Sequence, residues 1–284
     1  MVDYKFTLQT RGIHEWEASM KLRYGIRRWL SNPGFAASLF AILCCFLLVA
    51  CGLPDRQKTA APLKIVIVGD STVANYPTTV PDRGWGQFIG EYFDDTVTVV
   101  NLARNGRSTK TFISEGLWQK ALLERPNYVL IQFGHNDSHA PDRPEATAAA
   151  TTFRDYLRQY IDQSRAAGAV PILITPVQRR TYGPDGRLDN TLLPYAAAMK
   201  AVAREKNVSL IDLNASSGRL YERLGSKANA AVSRNGTDTT HFNERGARWM
   251  AQLVMRDLLI AKPELKSRIK PGRVIPQEID LTKQ

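Results

Sequence analysis

Gly69-Asp70-Ser71-Thr72 follows the apolar run 64–68, and Asp238-Thr239-Thr240-His241 stands near the other end of the chain. A serine hydroxyl is a weak nucleophile until a base takes its proton. An imidazole serves best as that base when a carboxylate fixes its tautomer. Ser71 is therefore the candidate nucleophile, His241 the general base and Asp238 its orienter. The chemistry implied is hydrolysis by acyl transfer. Each block also has a plainer reading. Gly-Asp-Ser turns end strands for steric reasons alone, and Asp238, Thr239, Thr240 or Asn243 could cap the helix that follows. Catalysis and capping can hold at once.

Acyl transfer places negative charge on one oxygen of a tetrahedral intermediate, so fixed donors are needed beside the nucleophile. Gly106, where backbone approaches a ligand closely, and Asn136, an uncharged amide, are the candidates, together with the Ser71 N–H. Their plainer readings are a turn and a loop amide. Arg104, Arg107, Arg179 and Arg180 fall in the same segments. Guanidinium forks suit carboxylates, so these four are candidate contacts for an acidic substrate; salt bridging within loops is the alternative. His135-Asn136-Asp137-Ser138-His139 spaces two imidazoles as a metal site does. The segment leaves a strand and meets Pro141, and no further ligand stands nearby in sequence, so satisfied loop polars explain it better. No metal or organic cofactor is required by this chemistry. Gly84-Trp85-Gly86 through Gly90 misses the dinucleotide-loop spacing by one residue and reads as turn and helix packing.

Five short runs must position these groups: 64–68, 96–102, 128–133, 169–175 and 208–213. They are continuously apolar rather than alternating, which fits parallel strands covered on both faces. Helical patterns fall between and after them, at 87–93, 117–124, 146–167, 192–206 and 244–259. The alternation predicts one doubly wound α/β/α sandwich with a five-stranded parallel sheet. Ser71, Gly106 and Asn136 each follow a strand end, so they are expected to converge at the carboxyl edge of the sheet.

The chain has 284 residues and a formal charge of +11. That charge suits an acidic partner. The basic residues are dispersed, with no aromatic-interleaved basic motif, and nucleic acid is the least supported partner. Cys44, Cys45 and Cys51 are the only cysteines, so the region beyond them has neither disulfide nor thiol catalysis. Arg23, Arg27 and Arg28 precede the apolar run 35–50, as in an export signal. Leu48-Val49-Ala50-Cys51 resembles the lipobox of bacterial lipoproteins, which implies lipidation at Cys51 and a membrane tether. An uncleaved anchor or a plain secretory signal are the alternatives. The expected organisation is a leader over 1–50, with Met20 as an alternative start, a linker over 51–62, a catalytic domain over 63–262 and a tail over 263–284. The tail either wraps the surface or moves freely.

The ordered set Gly69-Asp70-Ser71-Thr72, Gly106, Gly134-His135-Asn136-Asp137 and Asp238-x-x-His241 resembles the SGNH (GDSL-like) hydrolase superfamily. Its rhamnogalacturonan acetylesterase branch is nearer still, through Gly84-Trp85-Gly86, Asn101 to Thr109, Gln132 to Asp137, Thr175 to Arg180 and Thr240 to Glu244. The resemblance implies a flavodoxin-like fold and a Ser71–His241–Asp238 triad. It also implies an oxyanion hole from Ser71, Gly106 and Asn136, and an acetylated, pectin-type carbohydrate as substrate. A general short-chain esterase, lipase or thioesterase on the same scaffold, and a non-catalytic polysaccharide-binding lipoprotein, are the competing expectations.

Overall fold

The computed structural model describes residues 61–282. The leader, the lipobox-like run with Cys51 and nearly all of the expected linker lie outside the described residues. Five parallel strands form one sheet: β1 (Leu63–Gly69), β2 (Val97–Asn101), β3 (Tyr128–Gln132), β4 (Val170–Ile174) and β5 (Ser209–Ile211). Their order is β2-β1-β3-β4-β5, the flavodoxin-like order, in which ligand sites form where the winding reverses. Here that point lies between β1 and β3, which pair from Ile65↔Tyr128 to Gly69↔Gln132.

Alternate residues of β1 explain the layers. Ile65 and Ile67 enter one core, with the 3₁₀ helix Trp85–Tyr92, α5 (Leu213–Leu224) and α7 (Glu244–Ala261). Val66 and Val68 enter the other, with α1 (Thr109–Ser114), α2 (Leu117–Leu123), α3 (Thr152–Ala166) and α4 (Leu193–Glu205). Both faces are covered, which is why the strands carry no polar alternation. A short α6 (Ala228–Val232) precedes the segment that bears Asp238 and His241.

All five expected strands are present, with shifted ends. β5 stops early because the Asp212 side chain caps α5 by accepting from Ala215 N–H. The helix expected from residue 146 starts at Thr152: Thr147 is drawn to Asp137 through both its N–H and its hydroxyl, and the Thr152 hydroxyl takes Ala148 N–H. The expected helix at 87–93 is a 3₁₀ turn over Trp85–Tyr92. Beyond α7 the chain wraps the domain. Leu265 and Ile279 are buried in the core, and Ile269 bridges to Phe93.

Candidate active site

The turn after β1 is built to present Ser71. Asp70 Oδ1 accepts the N–H and hydroxyl of Thr72, and its main-chain oxygen accepts from Val73 and Ala74. Gly69 is a close approach: a Cβ there would stand 2.7 Å from the Gln132 carbonyl. From this turn Ser71 Oγ lies 3.0 Å from His241 Nε2, and His241 Nδ1 lies 3.0 Å from Asp238 Oδ2. The other Asp238 oxygen accepts the backbone N–H of Thr240 and of His241, each at 2.7 Å. Burial pushes the Asp238 carboxyl up, but its bonds to the His241 ring and to those two N–H groups outweigh that and hold it at about 2. The helix cap is a different residue: Asn243 takes Gly246 N–H at the start of α7. A base within hydrogen-bond reach of a hydroxyl, itself oriented by a carboxylate, is equipped to move that proton.

Gly106 and Asn136 meet Ser71 and His241 around one cavity of about 400 Å³. Gly106 adopts φ +76°, a left-handed conformation suited to glycine. The Asn136 amide is anchored by donating to Arg107 O at 3.0 Å, which leaves its second hydrogen for a ligand. Both candidate donors therefore reach the rim expected of them.

The four arginines separate. Arg179 lines the cavity, with its guanidinium donating to His135 O and to the hydroxyls of Ser138 and Thr191. Burial lowers its pKa, opposed by the nearby Asp70 charge, and it forms no salt bridge among the described residues. Arg180 is a correction. It is 1 % exposed, its Nη2 donates to Asp238 O and His241 O, and its Nε donates to Asn229. It holds the turn that carries the acid and the base, and offers nothing to a ligand. Arg107 pairs with Glu115 and the Asn105 carbonyl at the surface and is not part of the lining. Arg104 is exposed but is not part of the lining.

Arg234 also lines the cavity, a residue that sequence reasoning misses. Its Nε lies 3.0 Å from Asp238 Oδ2 and its Nη1 lies 3.3 Å from Asp82. Nothing in the local sequence marks it beyond its i, i+4 spacing to Asp238. The histidine-rich segment resolves into separate partnerships: His135 with Asp70, His139 with Glu145, and Asp137 with Thr109 and Thr147. Gly84 and Gly86 pack against Val73–Ala74 and Asn101, as a turn and helix would.

A 2-1-3-4-5 parallel sheet with these contacts at its switch point is the architecture of an SGNH-type carboxylic ester hydrolase. Residues 67–249 match the GDSL-like lipase/acylhydrolase family model, and the chain belongs to that family. It is 38 % identical over 208 residues to the rhamnogalacturonan acetylesterase RhgT of Bacillus subtilis, covering 68 % of this chain and 88 % of that protein. A rhamnogalacturonan acetylesterase of Emericella nidulans is 26 % identical over 213 residues, covering 68 % of this chain and 83 % of that one. Among solved structures, YxiM of Bacillus subtilis superposes with a TM-score of 0.61 at 30 % identity. The match covers 70 % of this chain and 56 % of YxiM. The acetylxylan esterase Axe2 of Geobacillus stearothermophilus shares the fold, with a TM-score of 0.57 at 18 % identity, over 71 % of this chain and 96 % of that one. The resemblance read from the ordered motifs is thus borne out.

Proposed function

We propose that the chain removes O-acetyl groups from a carbohydrate through an acetyl-enzyme. His241 takes the Ser71 proton, and Ser71 Oγ adds to the acetyl carbonyl. The oxyanion is held by the N–H groups of Ser71 and Gly106 and by Asn136 Nδ2. Collapse expels the sugar oxygen, which leaves with the proton from His241. Water then repeats the two steps and releases acetate, restoring the serine.

The observation that carries this reading is the lining of the cavity. No aliphatic side chain contributes to it among the described residues; Tyr76, Asp82, Asn105, His139 and Thr240 fill it instead. A long acyl chain needs apolar walls, whereas a sugar needs polar ones and an acetyl group needs little room. Arg179, half-buried and without a salt bridge among the described residues, supports a uronate-bearing, pectic backbone, and the two rhamnogalacturonan acetylesterases among the relatives support the same choice. The test compares purified protein with Ser71→Ala on p-nitrophenyl esters of two to eight carbons, and on acetylated rhamnogalacturonan beside acetylxylan. Acetate release lost in the variant, with steep decline beyond four carbons, is expected. Equal rates from both proteins would leave only polysaccharide binding. Preference for long acyl groups would mean a lipase or thioesterase.

The lipobox-like run supports attachment to a bacterial envelope through Cys51. Metabolic labelling with a radioactive fatty acid, lost on Cys51→Ala, tests that attachment; label retained by the variant rejects it.

A further inference from the structure

Asp70 immediately precedes Ser71, and His135 immediately precedes Asn136. Both are buried, at 0 % and 3 % exposure. His135 Nδ1 lies 3.2 Å from Asp70 Oδ2. Asp70 is locked from every other side: Oδ1 takes Thr72, the Thr72 hydroxyl accepts from Gln132 Nε2, and Gln132 Oε1 accepts from Trp85 Nε1. The imidazole has no second anchor, because its Nε2 is buried without a hydrogen-bond partner. Asp70 thus fixes the orientation of the His135 ring.

The place of this bond matters. The β1–β3 ladder ends at Gly69↔Gln132. Beyond it the two strands give way to the loops that carry Ser71 and Asn136. Asp70–His135 ties those loops together one residue short of each reacting group. Burial raises the Asp70 carboxyl, but His135 and Thr72 outweigh it and the net shift is downward, consistent with an ionised acceptor.

We propose that His135 is a positioning residue whose Nδ1–H bond to Asp70 sets the spacing between the Ser71 hydroxyl and the Asn136 amide. The inference rests on the esterase reading above. A misplacement of about 1 Å at such a site costs on the order of 100-fold in rate, so a small slip between the loops is enough to register.

The test uses two polar substitutions that avoid an apolar cavity. Asn places its amide nitrogen near the position of Nδ1 and keeps the donor toward Asp70. Gln extends past it, toward the position of Nε2. Each is assayed on p-nitrophenyl acetate and for inactivation by diethyl p-nitrophenyl phosphate, whose phosphoryl oxygen occupies the oxyanion site. Thermal unfolding is recorded in parallel. His135→Gln is expected to lower kcat and the inactivation rate together by about 10- to 100-fold, with KM within about threefold. His135→Asn is expected to stay within about threefold of wild type in all three. Equal kcat for the two variants overturns the proposal, as does a loss confined to melting temperature, or failure of both to fold, since each assigns the pair to stability alone. Wild type no faster than Ser71→Ala sinks the esterase reading and this inference together. An active wild type with an undiminished His135→Gln sinks only this inference.

Discussion

Asp238 grips His241 twice: one carboxylate oxygen takes its backbone N–H and the other its ring Nδ1. The contact to the main chain fixes where the residue sits, and the contact to the ring fixes which nitrogen carries the proton. Asp238→Asn should separate the two roles. An amide that keeps its oxygen on the backbone donors presents NH₂ to the ring and favours the wrong tautomer. A kcat loss of about 10³- to 10⁴-fold with little change in KM is expected. Because Asp238 is held at about 2, it stays ionised throughout the range in which an imidazole changes charge. The acid limb of the wild-type rate profile should therefore lie well above pH 3. A limb centred near pH 2–3 would contradict this assignment.

The Asn136 amide offers the second prediction. Its anchorage to the Arg107 carbonyl orients the remaining N–H. Removing one such donor typically costs about 10²- to 10³-fold in kcat. Asn136→Ala should show that loss on p-nitrophenyl acetate, with KM changed by less than about threefold. A rise in KM with kcat intact would make Asn136 a substrate-binding group rather than an oxyanion donor.

Arg179 and Arg180 are neighbours in sequence with opposite duties. Arg180 satisfies the Asp238 and His241 carbonyls and lies over the Phe242 ring at 5.1 Å. Each buried carbonyl left unpaired costs about 1–3 kcal/mol, so Arg180→Ala should destabilise the fold by about 2–5 kcal/mol and depress activity on every substrate. Arg179→Ala should cost less stability in urea than Arg180→Ala, because the His135 carbonyl it releases keeps the Ser138 hydroxyl. It should lower kcat/KM at least fivefold more on an acidic acetylated polymer than on a neutral acetylated sugar. Equal losses on the two substrates would remove Arg179 from specificity.

That contrast shows where the sequence stops being readable. Strands β1 to β5 can be read because both faces of the sheet are apolar, and the triad can be read because its blocks occur in a recognisable order. The burial of Arg180 cannot, since its partners lie about 60 residues away and a guanidinium carries no local mark of burial. Helix α5 escapes a sequence reading for a related reason. Between Leu213 and Leu220 its buried positions are Asn214, Ser216, Ser217 and Gly218, so its apolar face is interrupted over nearly two turns. Helix α1 has six residues, too few to establish a period at all. Arg234 reaches the cavity through its contact with Asp238, and only the folded turn makes that visible.

The buried Asp137 gives a prediction about stability rather than rate. Burial is the main cause that pushes its carboxyl up to about 7; bonds from Thr109 and Thr147 oppose the rise and the nearby Asp70 charge adds to it. Between about pH 4 and 7 the folded protein therefore holds a proton that the unfolded chain has shed. Stability must then fall as pH rises through that window and level off above it. The Asp137→Asn variant would carry no such proton. Its amide oxygen would also keep most of the existing contacts, because Oδ1 accepts the Thr109 N–H, the Thr109 hydroxyl and the Thr147 hydroxyl, while Oδ2 takes only a shared contact from the Thr109 N–H at 3.2 Å. Melting temperatures of wild type and Asp137→Asn should accordingly lie close together near pH 5. They should diverge in favour of the variant by pH 8, by several degrees, given that 1 kcal/mol moves the midpoint of a domain this size by about 2–4 °C. Scanning both proteins from pH 4.5 to 8.5 checks this directly. A gap that stays constant, or that widens toward acid, would show that Asp137 is not the protonated group.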